Sequence, residues 1–489
     1  MIRLALSFVA AVALASTGYA QSTAPEFNPA VQLGTVAHTS LTEISGIAAS
    51  RQNADVIWAH NDSGDTNRVF AMTTGGKHLG MYYLGGASAV DWEDMAVGPG
   101  PIPGQQYLYV ADTGNNELSR MTVTLYRAPE PVVLATQSPL QTTLSGVETL
   151  PVRFPDTIRD VETLIVDPEN GDILLLTRDR QQSGTTYIYL YPVEAQTPGA
   201  LAMLTLVGSI ASTVEIKGGD VSADGQWLLL RRHSSTTQAD GWLYARATGT
   251  AIEQAFNSPP TLVPLAAEPQ GEAVAFTPDS SGYYTISEGT VQPIYYYGPL
   301  TAPATPDKGS ATAVSSTEIR LTWSDNANNE ASYKVERSTD GLYFGTPVLL
   351  GANATAFTDA NLSPGTKYWY GVTAYNSAGN SGSLLLYATT AEPPPMAPSA
   401  PTELSATAVS KSQITLAWAD ASLNEEGFKI ERSNDGKTFT QIASVGAGVT
   451  RFTNNNLSAN KLYYYRVRAY NVGGNSGFTN VASARTLRK

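Results

Sequence analysis

Cysteine is absent from all 489 residues. Disulfides, zinc–thiolate sites, iron–sulfur clusters and thiol catalysis are therefore excluded, and the fold must be held by its cores alone. A lipid attachment point of the bacterial lipoprotein kind is excluded as well. Histidine is scarce: His38, His60, His78 and His233 are the four, and none is paired at metal-ligand spacing. Past residue 15, no apolar run approaches the roughly twenty residues that span a bilayer. The run LALSFVAAVALA (4–15) follows Arg3 and leads into STGYA, with Gly18 and Ala20 at the two positions a signal peptidase reads. Residues 1–20 thus read as a secretory signal peptide, and the product is expected to be secreted or periplasmic without membrane insertion. Positive charge is short where most of the chain lies. The net charge is −13, with −15 in residues 1–300, −3 in 301–392 and +5 in 398–489. The first segment should repel nucleic acid and anionic lipid and attract cations. No G-x-S-x-G elbow, P-loop, dinucleotide fingerprint or H-E-x-x-H is present.

Two Pro-rich stretches, GPLTAPATPDKG (298–309) and EPPPMAPSAP (392–401), divide what remains. The second should be a stiff, extended spacer. The expected domains are residues 28–300, 301–392 and 401–489, with 393–400 as linker. The two small domains are copies at an offset of 95 residues: WSDNANNEASYKVERSTDG begins at Trp323 and WADASLNEEGFKIERSNDG at Trp418. Ile319, Leu321 and Trp323 alternate with polar residues, as do Tyr370, Val372 and Ala374, which predicts short half-buried strands and a β-sandwich. The early Trp and the run LSPGTKYWYGVTAYN resemble the fibronectin type III family. The resemblance implies a tyrosine corner built from Leu362, Pro364, Thr366 and Tyr368. The second copy keeps Leu457 and Tyr463 but has Ala459 and Lys461 in place of the Pro and Thr. No Arg-Gly-Asp tripeptide is present, and the pair is expected to act as spacers or adhesion units.

Residues 28–300 hold no long amphipathic helix. Short β runs come in five groups that open at EISGIAAS, DWEDMAVG, DVETLIVD, GGDVSADG and GEAVAFTPD. Each group has a small or acidic entry, an apolar strand, an Asp/Gly turn and further strands. Four strands per repeated unit predict a β-propeller, five-bladed or alternatively six-bladed. The last group is one strand short, and VQLGTVAH (31–38) is expected to complete it. A ring would bring the acids of the strand entries together: Glu43, Asp91, Glu93, Asp94, Asp160, Glu162, Asp220 and Glu272. Gathered carboxylates need a cation, a proton or hydrogen bonds. Ca²⁺, a hard ion that takes oxygen ligands, is one answer. The other is that each acid accepts backbone N–H groups from the next blade. His60, Asp62, Arg178, Arg232 and Glu288 are the further candidates for contact with a ligand. NDSGDTN (61–67) reads as an Asx-type turn rather than half of an EF-hand, since it lacks the central Gly and late Glu.

DVETLIVDPENGDILLLTRD, GGDVSADG, GEAVAFTPD and TISEG, with DWEDMA and LYVADTGNN, resemble a family of secreted bacterial propeller proteins whose activity is unsettled, and more distantly the β-propeller phytases. The first resemblance implies the propeller fold, and the acidic channel itself points to binding of an extracellular small molecule, glycan or protein, with Ca²⁺. The second implies a Ca²⁺-dependent phosphoesterase, for which Arg178, Arg180, Lys217, Arg231 and Arg232 would supply the basic lining.

Overall fold

The runs ILLLT (173–177) and WLLLRR (227–232) are apolar at successive positions, so both faces of each strand must be covered. The architecture covers them. A computed structural model describes residues 24–178, 183–212, 214–232 and 240–488; the expected signal peptide, His233 and Arg180 lie outside the described residues.

Among the described residues of 27–300 there are five sheets, each entered by a buried inner strand: Ile44–Ala49, Trp92–Pro99, Val161–Val166, Ile216–Val221 and Gly271–Phe276. From each inner strand the chain runs outward through antiparallel neighbours. The N-terminal strand Val31–Thr35 pairs antiparallel with Pro293–Tyr297 and supplies the fourth strand of the last sheet. The first and second sheets each gain a further strand in parallel, Leu140–Leu144 and Ala202–Met203. The inner strand of each sheet neighbours those of the sheets before and after it, and the fifth neighbours the first.

Apolar side chains fill the space between successive sheets. Because strand residues alternate faces, one strand serves two cores. Leu228 and Leu230 pack with Ile165, Leu174 and Leu176 of the third sheet, whereas Leu229 packs with Val274 and Tyr283 of the fifth. Ala273, Ala275 and Ile286 of the fifth sheet meet Ile47, Ile57 and Phe70 of the first.

The inner strands share an irregularity. Each has a β-bulge at its second residue, which slips the register against the next strand. The bulged residues are Ser45, Glu93, Glu162, Lys217 and Glu272. A bulge leaves its residue out of the ladder and re-aims its side chain.

The C-terminal copies are two-sheet sandwiches. In the first, Asp307–Ala313, Ile319–Ser324 and Ala356–Asp359 face a sheet built on Ser332–Ser338 and Lys367–Asn376. In the second, Thr402–Ser410, Gln413–Ala419 and Arg451–Asn454 face one built on Gly427–Ser433 and Leu462–Asn471. The alternating residues Ile319, Leu321, Trp323, Tyr370, Val372 and Ala374 are buried, as are their counterparts in the second copy. The tyrosine corner is present in both: Ser363 N–H donates to Tyr368 Oη at 3.0 Å, and Ser458 N–H donates to Tyr463 Oη at 3.1 Å. The second copy keeps the bond without the Pro and Thr because the phenol oxygen alone accepts it.

Candidate functional site

The bulges aim three glutamates and one lysine at one end of the inner strands. Around them stand Asp91 and Asp160, two residues ahead of their bulges, and Asp62, Arg178 and Glu288, each just past the second strand of its sheet. One carboxylate oxygen each of Asp62, Asp91 and Glu93 lie within 4.8 Å of one another. The same holds for Glu93, Asp160 and Glu162. Glu93 belongs to both groups.

The partners of these carboxylates differ. Glu162 receives Arg178 Nη1 at 2.6 Å on one oxygen and Lys217 Nζ at 3.1 Å on the other. Lys217 also reaches Glu272 at 2.8 Å, and Arg178 reaches Glu215 at 3.0 Å. Asp160 accepts the Asn115 N–H at 2.6 Å. Asp62 accepts the Ser63 N–H at 2.5 Å. Asp91 Oδ2 accepts Asn116 Nδ2 at 3.1 Å, but its Oδ1 is buried without a partner. The Glu93 carboxylate, on a residue only 4% exposed, has neither hydrogen bond nor ion pair among the described residues. Gly114 backs this corner. A Cβ there would fall 2.2 Å from Glu93 Oε1 and 2.4 Å from Asp91 Oδ2, so a larger residue would displace these two carboxylates from where they now stand.

The protonation equilibria follow from that crowding. Burial, then the charges of Glu162 and Asp62, push Glu93 well above the usual carboxylate range. Burial, then neighbouring acids, raise Asp91 to about 6. Asp62 also rises to about 6, through burial that outweighs its bond from Ser63. Glu288 is pushed up to about 8 by burial and by Glu272 beside it. Glu272 itself is lowered: burial would raise it, but Lys217 outweighs burial. Glu162 stays raised by burial despite Lys217 and Arg178.

Four of the expected acids are thus gathered with Asp62: Asp91, Glu93, Asp160 and Glu162. Glu272 and Glu288 stand on the Lys217 side of the cluster. Asp94 and Asp220 do not join it. They follow the bulge, point into the strand ladder, and accept backbone N–H groups. Asp94 takes Met95 and, on the next sheet, Leu164 at 2.9 Å. Asp220 takes Val221 and, on the next sheet, Phe276 at 2.8 Å. For these two the alternative role, tying neighbouring sheets together, is the observed one. Glu43 is exposed in a separate surface cleft with Asn61 and Asp65. His60 is fully buried against the Trp92 ring, donates Nδ1–H to Asn61 O, and is lowered to about 4 by burial, so it is neutral. Arg232 turns to Asp240 at 2.6 Å and lies over Trp242. NDSGDTN forms a turn in which Asp62 and Asp65 each accept the N–H of the next residue, and Asp65 is bound to Arg68. A cleft of about 330 Å³ opens beside Asp160 and Arg178, walled by Leu118, Ile158, Arg159 and Tyr187.

Sequence reasoning placed Lys217 among basic residues for a phosphate and missed its role as the acids' own counter-ion. It also missed Ser45, Gly114 and Asn116. Aligning the five strand entries ISG, WED, VET, IKG and GEA on their central residue would have found Ser45 and Lys217.

Within the described residues no helix is long and apolar enough to cross a membrane. Among curated proteins the chain is similar to chitinase A1 of Niallia circulans, with 31% identity over 204 residues, 40% of this chain and 27% of that protein. It is similar as well to exoglucanase B of Cellulomonas fimi, with 31% identity over 208 residues, 42% of this chain and 18% of that protein. The chain therefore spans about a quarter or less of the length of these relatives. Among solved structures, a two-domain fibronectin type III segment of chicken tenascin aligns with 15% identity, 37% of this chain and 99% of that one, at a TM-score of 0.17. The profile of the fibronectin type III domain matches residues 304–384 and 399–485, and these two stretches are fibronectin type III domains.

Proposed function

We propose that residues 28–300 form a five-bladed β-propeller whose acidic mouth binds a divalent cation, Ca²⁺ by preference, and through it an extracellular ligand. The five sheets are the blades. The observation that carries the reading is Glu93, a buried carboxylate with no hydrogen bond or ion pair among the described residues, set between Asp62 and Asp91 on one side and Asp160 and Glu162 on the other. Two oxygens bound to one Ca²⁺ at about 2.4 Å can stand no more than roughly 5 Å apart, which suits both groups. The cation would take oxygens from Asp62, Asp91 and Glu93, with Asp160 and Glu162 on the other side of Glu93. A ligand with oxygen donors completes its shell and lies in the cleft walled by Leu118, Ile158 and Tyr187. The fibronectin pair spaces or tethers this unit, and the chitinase and exoglucanase likeness fits a secreted protein that acts on or near a polysaccharide.

The test is thermal denaturation and calorimetric titration of the full chain with Ca²⁺, before and after chelation. Ca²⁺ should raise the first unfolding transition, chelator should reverse the shift, and Glu93→Gln should remove it without unfolding the protein. A transition that ignores Ca²⁺, or a shift that survives Glu93→Gln, would end the proposal.

A hydrolytic reading, a Ca²⁺-dependent phosphoesterase, has one observation in its favour. Glu288, at about 8, holds a proton at neutral pH beside the cluster, as a general acid must. Turnover of phosphomonoesters or simple esters that chelator abolishes would select it over binding alone.

A further inference from the structure

The five bulge positions form one set, linked by a chain of contacts. Ser45 Oγ donates to Glu93 O at 2.5 Å and reaches Glu272 Oε2 at 3.3 Å. Lys217 Nζ stands between Glu272 Oε1 at 2.8 Å and Glu162 Oε2 at 3.1 Å. Seven carboxylates gather at this end of the strands: Asp62, Asp91, Glu93, Asp160, Glu162, Glu272 and Glu288. Lys217 sits on one side of the set, and Glu93 on the other.

The ammonium is not placed for work on a ligand. Its side chain is 6% exposed and contacts two carboxylates, and Glu272 in turn lies beside Glu288. Nor is it poised as a base or nucleophile, since its two glutamates outweigh burial and raise its pKa, keeping it charged. What it supplies is one positive charge at a point where oxygens converge. On the opposite side oxygens converge in the same way, but no ion pair joins Asp62, Asp91 or Glu93 to a Lys or Arg among the described residues.

We infer that Lys217 is a resident cation, its ammonium holding the place that a second divalent ion would otherwise take between Glu162 and Glu272, so that the mouth binds one ion rather than two. A metal there would draw oxygens now 2.8 and 3.1 Å from nitrogen to about 2.4 Å, a movement within the reach of a glutamate side chain. Glu162, held on its other oxygen by Arg178, then separates the two cations. The design fixes the stoichiometry covalently and makes half of the site independent of the metal supply. This rests on the cation-binding reading above, and the experiment separates the two.

The experiment is calorimetric titration of the chelator-stripped full chain with Ca²⁺, with bound metal counted by elemental analysis after desalting. The wild type should bind one ion per chain. Lys217→Met keeps the apolar stem and removes the charge, and should bind two. Lys217→Met with Glu272→Gln removes a ligand of the second position and should return to one. Wild type and Lys217→Met each binding one ion would overturn the inference and leave the first reading standing. Wild type binding none would overturn that reading instead. A Lys217→Met chain that folds only in Ca²⁺, with two ions bound, supports the inference. One that stays unfolded in millimolar Ca²⁺ while Lys217→Arg folds shows that the position accepts only an organic cation, and overturns it.

Discussion

Arg246 meets Asp167 at 2.8 Å with side chains 3% and 0% exposed, whereas Arg337 meets Asp359 at 3.1 Å with the arginine 47% exposed. The first pair lies in the five-sheet region and the second in a fibronectin domain. Both regions are built mainly of antiparallel strands, but only the sandwich strands alternate apolar with polar residues. They differ in how many faces each sheet must cover. A sandwich sheet has one face in solvent, and its charges go there. A sheet packed between two others has no free face, so its charges must be buried with partners or gathered at the strand ends.

The sharpest way to break this contrast is to remove one arginine from each region. Arg246→Leu leaves Asp167 buried without its cation, and breaking such a pair costs about 3–5 kcal/mol. Arg337→Leu removes a solvated pair worth roughly 0–1 kcal/mol. Denaturant titration of the full chain should therefore show a large loss in the first case and almost none in the second. Equal losses would mean that the two regions do not differ in this respect.

The regions should also respond to pH in opposite senses. Asp62 and Asp91 have folded pKa values of about 6 against 3.8 for the ordinary group, and Glu288 about 8 against 4.5. Raised acids bind extra protons in the folded state, so folding loses stability as pH rises from the unfolded value through the folded one. Without metal, the five-sheet transition should fall from about pH 4 to 6 on account of the two aspartates, and further toward about 8 on account of Glu288. Ca²⁺ should flatten that decline, because it stabilises the ionised form. In the second fibronectin domain Asp435 is held down to about 2 by the Ser433 hydroxyl and the Thr438 and Lys437 amides. A lowered acid gives stability that is present above its unfolded value of 3.8 and lost as pH falls toward 2. Melting in chelator across this range should show one transition falling with pH and the other level above about pH 4. Parallel curves would remove the buried cluster as the cause.

The same contrast decides what could be read from the chain. The fibronectin copies were legible because their repeat is close to literal: Trp323 and Trp418, or Tyr368 and Tyr463, stand at one offset among similar neighbours. The five sheets were legible as strands, and the N-terminal strand's partner could be inferred from a group one strand short. The site was legible only as a list of acids. Asp91, Glu93, Asp160 and Glu162 do come together, but nothing local separates Glu93 from Asp94. A bulge does, turning one carboxylate to the mouth and the next into the ladder. A bulge is a property of a pair of strands, and a composition pattern along one strand does not contain it. Lys217 was hidden for the same reason: its partners lie 55 residues away in each direction.

The smallest effect tests the equivalence of the two fibronectin copies. Tyr368 and Tyr463 each accept one backbone N–H, at 3.0 and 3.1 Å. The first sits in the run with Pro364 and Thr366, the second beside Ala459 and Lys461. If the corner rests on the hydroxyl alone, Tyr368→Phe and Tyr463→Phe should each lose about 1 kcal/mol, the usual net worth of such a bond. If Pro364 and Thr366 pre-order the first corner, Tyr368→Phe should lose less, because the turn would persist without its hydrogen bond. Urea titration of both single variants in the full chain measures the difference. A gap larger than about 0.5 kcal/mol would show that the copies share the contact but not the way they secure it.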